Sequence, residues 1–163
     1  MHRIRKAQQA DRDQIVAMRL LLWPGSSAEE QRQEFDALMS SEMSGTLPGA
    51  IFVAENQNGA LLGILDAGLR SHADGCDTTQ PVGFVEGWFV HESSRNQGIG
   101  RELMRAAEEW ARALGCVEMA SDALITEEVS LRAHEAMGFE VVDRCVHFRK
   151  AFERPKSSGT RDL

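Results

Sequence analysis

The chain has 163 residues, with 18 Lys and Arg against 25 Asp and Glu and a formal charge of −7. That length suits one domain with its own core, and the acidity argues against a nucleic-acid binder, whose affinity rests on Lys and Arg facing phosphate. It is compatible with a cationic ligand. Cys76, Cys116 and Cys145 form no C-x-x-C pair and have no His at ligand spacing, so neither a metal site nor a disulfide framework is indicated. The amino-terminal residues lack the apolar core of a signal peptide, and no run approaches the ~20 apolar residues of a membrane span. A cytoplasmic, membrane-free protein is the expectation.

In chain order, a first strand around His2 to Lys6 leads to Asp11 and a helical pattern carrying Ile15, Met18 and Leu22 on one face, which Trp23-Pro24-Gly25 stops. Ser27-Ala28-Glu29-Glu30 reads as a capping box that opens a second helix, with Phe35, Leu38 and Met39 inward and Gly45 and Pro48-Gly49 at its end. Ala50 to Glu55 and Leu61 to Leu69 are β-rich runs joined through Asn56-Gln57-Asn58-Gly59, where Asn-Gly favours positive φ, so an antiparallel hairpin is predicted. Ser71 to Gln80 is polar and turn-rich, a surface loop or a lid.

Val82 to Val90 is the next strand. After it, Ile99, Leu103, Ala106, Ala107, Trp110 and Leu114 recur at helical spacing, with Gly115 at the C-cap. Val117 to Asp122 reads as a short strand, Thr126 to Met137 as a helix closed by Gly138, and Phe139 to Phe152 as a last strand region. The order β, α, α, antiparallel strands, then β, α, β, α, β describes a mixed α/β sheet. Residues 1–152 are expected to form one domain. The tail from Glu153 to Leu163 has nothing to bury and is expected to be mobile or held by a partner subunit.

The most informative stretch lies between the strand at Val82 and the helix at Ile99. Arg95-Asn96-Gln97-Gly98-Ile99-Gly100 follows an apolar strand and opens an amphipathic helix, which aims consecutive backbone N–H groups and a helix dipole at one point. That point suits a phosphate. Gly98 and Gly100 lack a Cβ, so amides from Gln97 to Arg101 can approach a pyrophosphate closely, while Arg95 and Arg101 add charge. A nucleotide P-loop is excluded because no Gly-Lys-Ser/Thr follows, and Glu102-Leu103 stand where a dinucleotide site needs its third glycine.

This segment resembles the acetyl-CoA pyrophosphate loop of the GNAT N-acetyltransferase superfamily, Arg/Gln-x-x-Gly-x-Gly/Ala, and Ala133-His134-Glu135-Ala136-Met137-Gly138-Phe139 looks like that superfamily's closing helix and Gly-Phe turn. A narrower resemblance, carried by Leu22-Trp23-Pro24-Gly25, Gly75-Cys76-Asp77, Phe84-Val85-Glu86-Gly87-Trp88-Phe89-Val90 and Met119-Ala120-Ser121-Asp122, is to the chromosomal aminoglycoside 6'-N-acetyltransferases of bacteria. The resemblance implies a mostly antiparallel central sheet with one splayed parallel pair, about four helices, acetyl-CoA as co-substrate, an aminoglycoside or similar cationic amine as acceptor, and a homodimer, with the last strand or tail crossing between subunits.

By the same resemblance the pantetheine arm bonds to the backbone of Trp88, Phe89 and Val90, the Val90 N–H polarises the thioester carbonyl as an oxyanion-hole donor, and Asn96 to Arg101 hold the pyrophosphate. Glu86 stands at the floor of the amine pocket, to take the acceptor's proton either with a burial-raised pKa or through ordered water. Asp122, at a strand's C-terminal end, is a second ligand for the amine or else a local cap. Asp77 and Trp23 are candidates for the substrate wall, Trp23 being equally suited to the core. Many superfamily members carry a Tyr four residues before the closing Gly-Phe to protonate the leaving thiolate. This chain has no tyrosine, and that position is His134, either the proton donor or a packed residue.

Two rivals remain: an N-acetyltransferase for polyamines or protein amines, and an acetyl-CoA-binding module without activity. An acetyl-Cys intermediate on Cys116 or Cys76 lacks a neighbouring base in sequence.

Overall fold

The computed structural model describes residues 1–152, in which the elements run β1 (His2–Lys6), α1 (Arg12–Leu22), α2 (Ala28–Ser41), β2 (Met43–Ser44), β3 (Leu47–Asn56), β4 (Leu61–Arg70), β5 (Val82–Val90), α3 (Ile99–Ala113), β6 (Met119–Ser121) and α4 (Glu128–Ala136). The sheet order is β1-β3-β4-β5-β6, with the short β2 joined to β3. All pairs are antiparallel except β5 with β6, which is parallel. Helices cover both faces. Phe52 and Ala54 of β3 turn toward Leu103, Met104 and Ala107 of α3, whereas Ile51 and Val53 turn toward Ile15 and Met18 of α1 and Phe35 of α2, as the two-residue period of a strand requires.

The local signals explain most boundaries. The Ser27 hydroxyl accepts from the Glu30 N–H at 3.2 Å while the Glu30 carboxylate accepts from the Ser27 N–H at 2.8 Å, which closes the capping box at the start of α2. Gly115, with φ 91°, follows the end of α3. The β3–β4 turn differs from a two-residue hairpin. Only Gly59 takes positive φ there, and the Asn56 side chain organises the turn by accepting from the N–H groups of Asn58 and Ala60.

Two expectations need correction. Pro48 and Gly49 lie inside β3 rather than ending α2, which stops earlier at Glu42 in the left-handed region with φ 53°. Gly49 is there for space, since a Cβ would stand 2.8 Å from Ser44 Cβ and 2.9 Å from Leu38 Cδ1. The strand expected over Phe139 to Phe152 is not formed: residues 139–152 have no regular structure, and Val141, Val142, Val146, Phe148 and Phe152 are exposed. An apolar run becomes a strand only when a neighbouring edge completes its hydrogen bonds, and no described strand pairs with it. The expected tail lies outside the described residues. No helix among those described is long and apolar enough to cross a membrane.

Helix α1 is tied to the sheet by a buried ion pair, Arg19 with Asp66 of β4, whose side chains are only 6% and 7% exposed. Breaking such a pair strands a charge in the interior at a cost of about 3–5 kcal/mol. Asp66→Ala is therefore expected to lower stability by about that amount, read from the urea midpoint at unchanged m-value.

Candidate active site

Strand β5 carries most of the site. On one side it pairs with β4 along its whole length, but on the other it meets β6 over only three positions, ending at Val85 opposite Ser121. Beyond that rung β6 ends, while β5 runs on to Val90. The β4 ladder slips at the same level: Asp66 faces Gly87 and Ala67 faces Val85, which leaves Glu86 as an extra residue in a bulge. Bulges re-aim side chains. Here the half-buried Glu86 carboxylate lies over Gly68 and accepts two hydrogen bonds from Arg70, Nε at 3.0 Å and Nη2 at 2.6 Å. The guanidinium in turn stacks 3.3 Å above the centre of the Phe84 ring.

Trp23, the residue after α1, reaches the same level. Its ring and Leu22 close over Gly87, where a Cβ would come within 2.6 Å of Trp23 Cζ2. Its carbonyl accepts from the N–H and hydroxyl of Ser26, so the half-buried indole is braced beside Glu86.

Farther along β5, the His91 N–H donates to the Leu62 carbonyl at 2.9 Å. With Gly63 opposite Val90, the alternation of an antiparallel ladder turns the N–H and C=O of Val90 and Trp88 away from β4, toward the side where β5 has no partner. Arg95 then folds back, its Nε donating to the Val90 carbonyl at 3.0 Å. Asn96 and Gly98 adopt left-handed φ of 60° and 83°, and Gly98 is the N-cap of α3. Consequently the first-turn N–H groups of Ile99, Gly100 and Arg101 have no acceptor within the helix. Gln97 Nε2 donates to the Ser93 carbonyl, which holds the turn.

Trp88 sits below this loop. A Cβ on Gly100 would meet its Cζ2 at 3.0 Å, and its Nε1 is buried with no partner among the described residues. Free amides, a glycine pressed against the core and open space where side chains would intrude fit the pyrophosphate of acetyl-CoA.

His134 packs edge-on to Trp88, with ring centres 5.5 Å apart, and to Phe139 at 5.3 Å. Its Nδ1 lies 2.7 Å from the Ser130 carbonyl, its Nε2 2.8 Å from Ser121 Oγ. Glu86, Val90 and the glycine loop thus follow one another along β5 and its continuation, with Trp23 over Gly87 and His134 against Trp88. Asp122 follows β6 and is exposed. Asp77 is engaged on its own loop, where hydrogen bonds from Thr79 hold its carboxyl below the usual carboxylate range and its N–H donates to Glu118. Burial pushes the Cys116 thiol up, which disfavours a thiolate nucleophile there.

Residues 15–139 match the model of the acetyltransferase (GNAT) family. The chain belongs to the GNAT acetyltransferase family. This acetyltransferase is similar to the aminoglycoside N(6')-acetyltransferases type 1 of Klebsiella aerogenes, 37% identical over 90% of this chain and 95% of the relative, and of Stenotrophomonas maltophilia, 36% identical over 92% and 94%. Among solved structures it resembles AAC(6')-Iy in complex with the bisubstrate analogue CoA-S-monomethyl-acetylneamine, with a TM-score of 0.83, 31% identity and coverage of 93% and 99% of the two chains. The mixed sheet with its one parallel pair is the fold expected for that family.

Arg70 and Ser121 escaped the sequence reading of this acetyltransferase. Their only signal was polarity at the ends of apolar strands, and their partners are set by register. The loop's dependence on Gly98 is testable. A Cβ at left-handed φ costs about 1–2 kcal/mol, so Gly98→Ala should weaken CoA binding about tenfold by calorimetry with unchanged circular dichroism.

Proposed function

We propose that this acetyltransferase is an aminoglycoside 6'-N-acetyltransferase that moves an acetyl group from acetyl-CoA to the 6'-amine by direct attack in a ternary complex. The observation that carries the reading is the position of Glu86. The carboxylate projects from a bulge one residue beyond the last β5–β6 rung at Val85, and farther along the strand the Val90 N–H is turned to the edge where β5 has no described partner. Bound acetyl-CoA supplies an activated acyl group. The backbone of Trp88, Phe89 and Val90 aligns the pantetheine, the N–H groups from Asn96 to Arg101 hold the pyrophosphate, and the Val90 N–H stabilises charge that builds on the acyl oxygen.

Glu86 shares its oxygens between Arg70 and the incoming ammonium, orients it, and accepts its proton directly or through water. Trp23 walls the substrate, Asp122 and Asp77 add negative charge, and His134 is the ultimate source of the proton that the departing thiolate takes up. The net negative charge of the chain favours encounter with a polycation. The names of the relatives support this choice of acceptor.

Residues 1–152 act as one acetyltransferase domain in the cytoplasm, where acetyl-CoA is available, and the enzyme is a homodimer. The dimer rests on the apolar residues of 139–152, exposed as described above, and on β6, which among the described residues has a strand neighbour on one side only. Pairing that segment with a second copy would cover both. Sedimentation at micromolar concentration is expected to give twice the 18.1 kDa chain mass. A single monomer species would overturn the dimer.

Activity is tested by following CoA thiol release with aminoglycosides, spermidine and a lysine peptide. Turnover should require an aminoglycoside with a 6'-amine. Equal rates with analogues lacking that amine would refute the regiochemistry, and Glu86→Gln should lower kcat/KM by about 10²-fold.

A further inference from the structure

Hydrogen-bond polarity decides how His134 can take part. The Ser130 carbonyl only accepts, so at 2.7 Å it keeps a proton on His134 Nδ1 in every charge state. In the neutral ring Nε2 is therefore a lone pair, and it accepts from the Ser121 hydroxyl at 2.8 Å. When the ring is protonated, Nε2 donates to Ser121 Oγ instead. In either state the Ser121 hydroxyl is the partner of Nε2. Ser121 is the last rung of β6, half-buried, and among the described residues its only other acceptor is the Val85 carbonyl at a longer 3.4 Å. His134 is wedged between Trp88 and Phe139, which restrains the ring from swinging past the hydroxyl.

We propose that Ser121 is a catalytic residue of this enzyme, its hydroxyl delivering the proton to the departing CoA sulfur while His134 acts behind it as the positioning and recharging group. This rests on the acetyl-transfer reading above. As the carbon–sulfur bond breaks, its electron pair stays on sulfur. Sulfur takes the Ser121 hydroxyl proton, and Ser121 Oγ takes the Nε2 proton of the imidazolium. The product is neutral His134 still carrying its Nδ1 proton, and water returns a proton to Nε2 before the next cycle. Ser121 begins and ends the step as a hydroxyl, so no acetyl-serine forms.

The first measurement needs no turnover. Nitrogen-15 spectra of histidine-labelled enzyme, titrated with CoA thiol alone, should show the His134 Nε2 resonance moving on binding in the native enzyme and in Ser121→Thr, with Nδ1 unchanged. Ser121→Ala should bind CoA within about twofold of native and lose that response. A response that persists in Ser121→Ala would mean that sulfur meets the imidazole directly, and would overturn the proposal.

With acetyl-CoA and an accepted amine, Ser121→Ala and His134→Ala should each lower kcat by about 10²-fold, and the double variant should lose little more, because the two act as one unit. Ser121→Thr should recover most of the rate. Full activity in Ser121→Ala overturns the proposal, as does an acetyl group found on Ser121 by mass spectrometry. If the native enzyme acetylates no amine yet shows the Ser121-dependent shift with CoA, the choice of acceptor fails while the hydroxyl contact stands.

Discussion

Everything functional in this fold follows from the unequal partnership of β5. Antiparallel pairing with β4 fixes its position over its full length, while parallel pairing with β6 lasts for three rungs and stops. A strand held on one edge only keeps its orientation yet presents unused N–H and C=O groups on the other. In a closed sheet those groups would be consumed by a neighbour. Here the release coincides with the bulge: Glu86 follows the last rung, its carboxylate held over Gly68 by Arg70, while the Trp88 and Val90 amides beyond it face the unpartnered edge.

Holding such an opening stable requires that the rest of the sheet be well anchored. The Arg19–Asp66 pair and the contact of Trp23 with Gly87 press α1 onto β4 and β5 beside the bulge. On the opposite face, Leu103, Met104 and Ala107 seat α3 so that its amino terminus falls just beyond the end of β5. Trp23 and the glycine loop are thereby carried by different helices on different faces. The strand between them sets their separation.

Features written in adjacent residues were legible: the Ser27–Glu30 box, the glycine turn at Gly98, the cap at Gly115 and the full extent of β5. Those that depend on distant register were not. Nothing local told that Glu86 would meet Arg70 rather than solvent, because the bulge appears only when β4 and β5 are aligned. Ser121 belonged to the stretch that carried the resemblance but had no role of its own, since its partner His134 arrives from α4. Pro48-Gly49 resembled a helix stop because turns and close strand approaches both select glycine. The run at 139–152 carried a strand's composition without an edge to join, which composition cannot reveal.

The Trp88 indole has a mechanical consequence. One ring supports Gly100 at the mouth of α3 and meets the His134 imidazole edge-on, while its buried Nε1 has no described partner to hold it. The glycine loop and the ring behind Ser121 therefore lean on a common wedge. A smaller side chain at position 88 would take away the support of both at once.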